Sequence, residues 1–176
     1  MWTPWWPRCE TCWRTSSETC LGGTVSEAEL RGRNRATVEK YMRTKGQDRL
    51  RRHELFVEHG RAGLWTSDKL DPIETTGRDR LAEHAKWSLE CFPDWEWYDV
   101  EVFETQDPNR FWVECDGRGK ILFPGYPEGF YENHFLHSFE LSDGLIVRQR
   151  EFMNPFQQLR ALSIPVPEIR REGIPT

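Results

Sequence analysis

Residues 95–154 read WEWYDVEVFETQDPNRFWVECDGRGKILFPGYPEGFYENHFLHSFELSDGLIVRQREFMN, and the architecture follows from them. Four runs rich in aromatic and β-branched residues, Trp95–Thr105, Phe111–Phe123, Phe130–Leu141 and Leu145–Asn154, are separated by the turn formers DPN, PGYPEG and SDG. Strands joined by turns this short pair with their neighbours, which predicts an antiparallel meander. In the third run Tyr131, Asn133, Phe135, His137 and Phe139 alternate with Glu132, His134, Leu136 and Ser138. One face therefore mixes large rings with hydrogen-bonding groups, as a pocket wall or a dimer seam would. In the fourth run Val147, Gln149, Glu151 and Met153 share one face, while Ile146, Arg148, Arg150 and Phe152 share the other.

Upstream the period changes. Ser26 and Glu29 have capping-box spacing, and Leu30, Ala36, Val38, Tyr41 and Met42 make a helical apolar stripe ending near Thr44. Gly46 is a stop, Asp48 an N-cap, and RLRRHELF a second short helix with Leu50, Leu55 and Phe56 turned inward. Gly63–Thr66 and Ile73–Thr76 read as a short strand pair around SDKLDP. A third helix covers Arg78–Cys91, where Leu81, Ala85, Ser88, Leu89 and Phe92 recur at three and four until Pro93 ends it. His84 and Ser88 lie one turn apart on it. A short helix over Pro155–Leu162 and a proline-rich tail close the chain. This order predicts an α+β domain, a cone-shaped, strongly curved antiparallel sheet wrapped around three helices, over residues 25–176.

Residues 1–24 are different in kind, with four of the tryptophans, three of the cysteines and no period, so disorder or a mis-started reading frame with a natural start near Val25 is expected there. Cys9-x-x-Cys12 lacks the further ligands a zinc finger needs. The cysteine count is odd and without a disulfide framework, which fits reduced thiols, with Cys91 and Cys115 as small core residues. A net charge of -5 argues against nucleic acid. No run reaches membrane-spanning length and the N-terminus lacks a secretory h-region, so a cytoplasmic protein is expected.

No phosphate loop, dinucleotide fingerprint, nucleophile elbow or metal-ligand spacing occurs, leaving acid/base chemistry without cofactor or metal. Glu151 in REFMN is a general-acid candidate if its face is dry, since desolvation raises a carboxyl pKa; otherwise it is a rim residue paired with Arg148 or Arg150. His84 titrates near neutrality, and its helical phase aims it at the sheet, as either a pocket imidazole or a structural histidine. Ser88 reads equally as a pocket hydroxyl or as a helix residue bonding its own backbone. Arg52, in the basic cluster Arg49, Arg51 and Arg52, belongs to an anion site or to a solvated helix face.

The element order resembles the nuclear-transport-factor-2 and ketosteroid-isomerase superfamily. From about Leu30 to Thr176 the chain closely resembles the phenazine-biosynthesis A/B proteins, through NRATVEKYMRTKGQDRLRRHELFVE, LAEHAKWSLECFPDWEW, FWVECDG, ILFPGYPEG, YENHFLHSFEL, REFMNPFQQLRALSIPVP and the ending REGIPT. The resemblance implies a dimer, homomeric or formed with a paralogous subunit, and condensation of two 6-amino-5-oxocyclohex-2-ene-1-carboxylate molecules to hexahydrophenazine-1,6-dicarboxylate. It also implies Glu151 as the main acid/base group, His84 as its assistant, and Arg52, Ser88 and Tyr131 as substrate-binding positions. A-type copies of the family lack the histidine and carry Cys for the YEN tyrosine, so this chain resembles the B-type form. TSDKLDPIETTG departs from the more Gly/Ser-rich loop usual there. Rival expectations are a non-catalytic scaffold subunit of a heterodimer and another cofactor-free cyclase or isomerase of the same fold.

Overall fold

A computed structural model describes residues 25–67, 69–168, 170, 172, 173 and 175. The expectations for residues 1–24 therefore lie outside the described residues. Helix α1 spans Glu27–Arg43, opened by the expected capping box: the Ser26 hydroxyl accepts from the Glu29 amide at 3.2 Å, and the Glu29 carboxylate accepts from the Ser26 amide at 2.9 Å. Its buried edge is Asn34, Val38, Tyr41 and Met42, and the expected Ala36 faces solvent instead. Asn34 earns its place through three bonds. Its amide donates to Pro108 O (2.9 Å) and Asn109 Oδ1 (3.0 Å), and its carbonyl accepts from Gly144 N (2.9 Å), tying α1 to two turns of the sheet.

The second helix is wholly of the 3-10 type, Gly46–Leu55, with Lys45 rather than Asp48 at its N-cap. Strand β1 (Phe56–Leu64) begins directly after it, earlier than the expected Gly63, and pairs with β2 (Ile73–Thr76). Helix α2 (Arg78–Cys91) precedes the meander of β3 (Glu96–Glu104), β4 (Arg110–Ile121), β5 (Gly129–Ser142) and β6 (Leu145–Met153), and α3 covers Pro155–Ala161.

The six strands form one curved, unclosed sheet in the order β2-β1-β6-β5-β4-β3. The four long strands pair antiparallel as expected, and β1 adds in parallel to β6, with Leu64 opposite Glu151. On β4, and on β5 apart from the buried Ser138, the alternation is regular, burying Phe111, Val113 and Cys115 against Tyr131, Phe135, His137 and Phe139. On β6 it is not. Between Glu140 and Leu141 the β5–β6 register slips by one, so Ile146 joins the core on the side that Gln149 and Glu151 take further along, and the expected inward Val147 does not. Cys91 and Cys115 are free, buried thiols. No helix among the described residues is long and apolar enough to cross a membrane.

Candidate active site

Between the concave sheet face and the helices lies a cavity of about 370 Å³. Glu151, His84, Arg52, Ser88 and Tyr131 all line it. Much of its wall is aromatic: Trp95 stands edge-on to Trp97 at 5.3 Å, Trp97 edge-on to Phe135 at 4.8 Å, and Trp95 lies tilted over Tyr131 at 5.3 Å. Flat rings held edge to face leave flat slots, which suit planar ligands.

Glu151 reaches the cavity from the third-last position of β6, with 28% of its side chain exposed. The rim alternative fails on its partners. Arg148 pairs with Glu74 at 3.1 Å, and Arg150 with Glu140 at 2.9 Å and the Ser138 hydroxyl at 2.9 Å. Burial pushes the unpaired Glu151 carboxyl up to about 7, against the opposing pull of the Arg52 guanidinium. At neutral pH a large fraction of it carries a proton.

That shift has a cost in stability. Below the usual carboxylate range both folded and unfolded chains hold the proton; between about 4.5 and 7 the unfolded chain releases it first, so stability falls as pH rises through this window. Glu151→Gln removes the slope. We expect the variant to gain on the parent by up to about 3 kcal/mol between pH 4 and pH 8, at about 1.4 kcal/mol per pKa unit. Melting temperatures of both proteins at the two pH values check this, and a difference independent of pH would refute it.

His84 projects from α2 at the open side of the cavity, its ring 5.4 Å from Trp87. It keeps more exposure than its helical phase suggested, because Leu81 and Cys91 form the buried edge of α2 and His84 flanks that edge. Desolvation first, then the guanidiniums of Arg49 and Arg52, lower its pKa, so the imidazole is neutral at pH 7. A carboxyl with a raised pKa and an imidazole with a lowered one thus share a cavity.

Arg52 spends two donors on Thr44, through Nε to Oγ1 and Nη2 to the carbonyl, and lies 4.8 Å from the centre of the Tyr41 ring. Tyr131 is 3% exposed and its hydroxyl accepts from Asn133 at 2.9 Å, while burial raises its pKa. Ser88 Oγ accepts from Arg49 at 2.7 Å. Arg49 and the His137–Gln149 pair were not singled out from the sequence. His137 is fully buried, with Nδ1 2.9 Å from the Gln149 amide and 3.9 Å from the Glu151 carboxyl, and burial pushes its pKa down to about 3. The alternation of β5 had marked its face; nothing local marked its nearness to Glu151. Among the described residues, no three His, Cys, Asp or Glu side chains gather as a metal site.

A curved, unclosed six-stranded sheet enclosing a cavity against helices is the fold of the SnoaL-like, ketosteroid-isomerase-like class. A proposed SnoaL-like polyketide cyclase from Jannaschia sp. shares that fold at 19% identity and a TM-score of 0.61, over 78% of this chain and 96% of its own. Within the class, the chain belongs to the phenazine biosynthesis protein A/B family, whose model matches residues 16–176, and its role lies in phenazine biosynthesis. It is 75% identical over 154 residues to phenazine biosynthesis protein PhzB1 of Pseudomonas aeruginosa, covering 88% of this chain and 95% of that protein. The crystal structure of a phenazine biosynthesis-related protein, phzb2, from Pseudomonas aeruginosa superposes with a TM-score of 0.84 at 77% identity, over 85% of this chain and 97% of that one.

Proposed function

We propose that this chain condenses two molecules of 6-amino-5-oxocyclohex-2-ene-1-carboxylate to hexahydrophenazine-1,6-dicarboxylate by acid/base catalysis, without a cofactor. The observation that carries the reading is Glu151, a carboxyl facing the cavity with no arginine ion pair among the described residues and with its pKa raised by burial to about 7.

Amine addition to a ketone gives a carbinolamine, whose C–O bond breaks only when its oxygen leaves as water. Glu151 gives that oxygen its proton and becomes a carboxylate. The resulting iminium loses its N–H proton to the Glu151 carboxylate, directly or by way of His84, which then passes the proton to Glu151 and so restores the catalyst. Two such steps join the two rings with loss of two waters. Arg52 offsets the charge of a substrate carboxylate, and enclosure of both molecules in one cavity replaces a bimolecular encounter. The cavity lies within one chain, so the reading needs one such subunit, whether its dimer is homomeric or formed with a paralogous subunit.

The test is product formation from the purified aminoketone, followed by mass spectrometry against a protein-free control. Acceleration of the dimer-minus-two-waters product is expected; binding without acceleration points to a scaffold subunit, and a rearranged monomer to an isomerase. His84→Leu is expected to lose less than about tenfold in kcat/KM, since Glu151 can take back the iminium proton itself. A larger loss than that of the Glu151 variant would reverse the two roles.

A further inference from the structure

We propose that Arg49 is a positioning residue that acts on the bound substrate only through Ser88, fixing that hydroxyl as a directed proton donor into the cavity; this rests on the condensation reading above. In a 3-10 helix residues three apart eclipse, so Arg49, Arg52 and Leu55 line one edge of the Gly46–Leu55 segment. That edge faces inward. Arg49 is 3% exposed, lines the cavity and, among the described residues, makes no ion pair.

An unpaired buried guanidinium is costly unless its donors are used. Arg49 turns its two Nη groups to the end of α2: Nη1 donates to Phe92 O, and Nη2 donates to Ser88 O at 3.1 Å and Ser88 Oγ at 2.7 Å. The carbonyl bonds place a cation at a helix C-terminus, where the helix dipole favours it. The third bond has a different result. With its oxygen accepting from a cation, the Ser88 hydroxyl is polarised and has one proton left to give.

A helical hydroxyl commonly returns that proton to the carbonyl four residues back. Among the described residues Ser88 Oγ donates to none. Since Ser88 lines the cavity, its proton is available to an oxygen of the bound aminoketone. Arg49 lines the same cavity, but both of its Nη groups bond to the end of α2 and its Nε is buried without a partner among the described residues.

The test is a double-mutant cycle on kcat/KM for condensation, with Arg49→Met, Ser88→Ala and the pair. Each single change is expected to cost about tenfold, and the pair no more than Ser88→Ala alone, as for residues joined in one hydrogen-bond network. Losses that multiply to about a hundredfold, or an Arg49→Met protein with parental kcat/KM, overturn the proposal. An Arg49 that merely braces α2 would cost as much beside alanine as beside serine. If Arg49→Met does not fold by circular dichroism, Arg49→Lys replaces it under the same requirement, because lysine keeps the charge but not the fork. Binding of phenazine-1-carboxylate, read by quenching of Trp95 and Trp97, separates the two readings. A parent that binds this probe without condensing the aminoketone refutes the function, and the cycle is then judged on Kd by the same non-additivity.

Discussion

Glu151→Ala is expected to lower the condensation rate by about a hundredfold while the fold is retained, the usual cost of losing a general acid. The loss follows from where the carboxyl stands. Among the described residues it is the one acid in the cavity lining and no arginine pairs with it, and burial holds its pKa near 7. The neighbours cannot replace it as donors: Tyr131 and Tyr41 have raised pKa values, His84 is neutral, and His137 is buried and uncharged. The pH profile supplies an independent check. Parental activity should fall as pH rises through about 7 and Glu151 ionises, and that limb should vanish in Glu151→Ala. Glu151→Gln, which fills the same space without a proton to give, should lose as much as alanine. Initial rates beside circular dichroism decide the matter, and unchanged turnover removes Glu151 from the mechanism.

The parts of the fold legible in the sequence are those set by local chemistry. Turn formers DPN and SDG fix the hairpins that lead into β4 and β6, and Ser26 with Glu29 fixes the start of α1, because each acts within a few residues. Pairings between distant segments leave no such mark. Nothing near Phe56 says that β1 will lie parallel to β6, or that the β5–β6 register will slip between Glu140 and Leu141 and turn Ile146 inward. Asn34 is polar on a helical edge, and its three partners come from turns about seventy or more residues away. The same division holds at the site. Glu151 and Tyr131 sit on faces that strand alternation exposes to reading, whereas Arg49 looks like one more charge in a basic cluster until the 3-10 geometry puts it in line with Arg52 and Leu55. The sequence likewise separates His137 from Glu151 by fourteen positions, and only the β5–β6 ladder sets them opposite one another.

Gly117→Val should damage activity nearly as much as loss of the acid, for a steric reason. Gly117 lies on β4 between Trp97 of β3 and Asn133 of β5, paired on both sides, so the backbone there has little freedom to retreat. A Cβ at this position would lie 2.4 Å from Trp95 Cζ2 and 2.6 Å from Trp97 Cζ3, far inside van der Waals contact. Both rings line the cavity and both lean on Phe135, so the strain moves the aromatic wall. A shift of roughly 1 Å in a positioning surface can cost about a hundredfold in rate, and overpacking of about 1–3 kcal/mol lowers Tm by roughly 5 °C in a domain of this size. Gly32→Ala is the control: it sits on the exposed side of α1 with nothing within 4 Å of an added Cβ, and alanine favours the helix. Condensation rates and melting curves for both variants distinguish a general intolerance of glycine replacement from a specific demand at Gly117. Parental rate and Tm in Gly117→Val would mean that the two indoles can move aside freely, and that the rings, unlike Glu151, do not set the shape the substrates must fit.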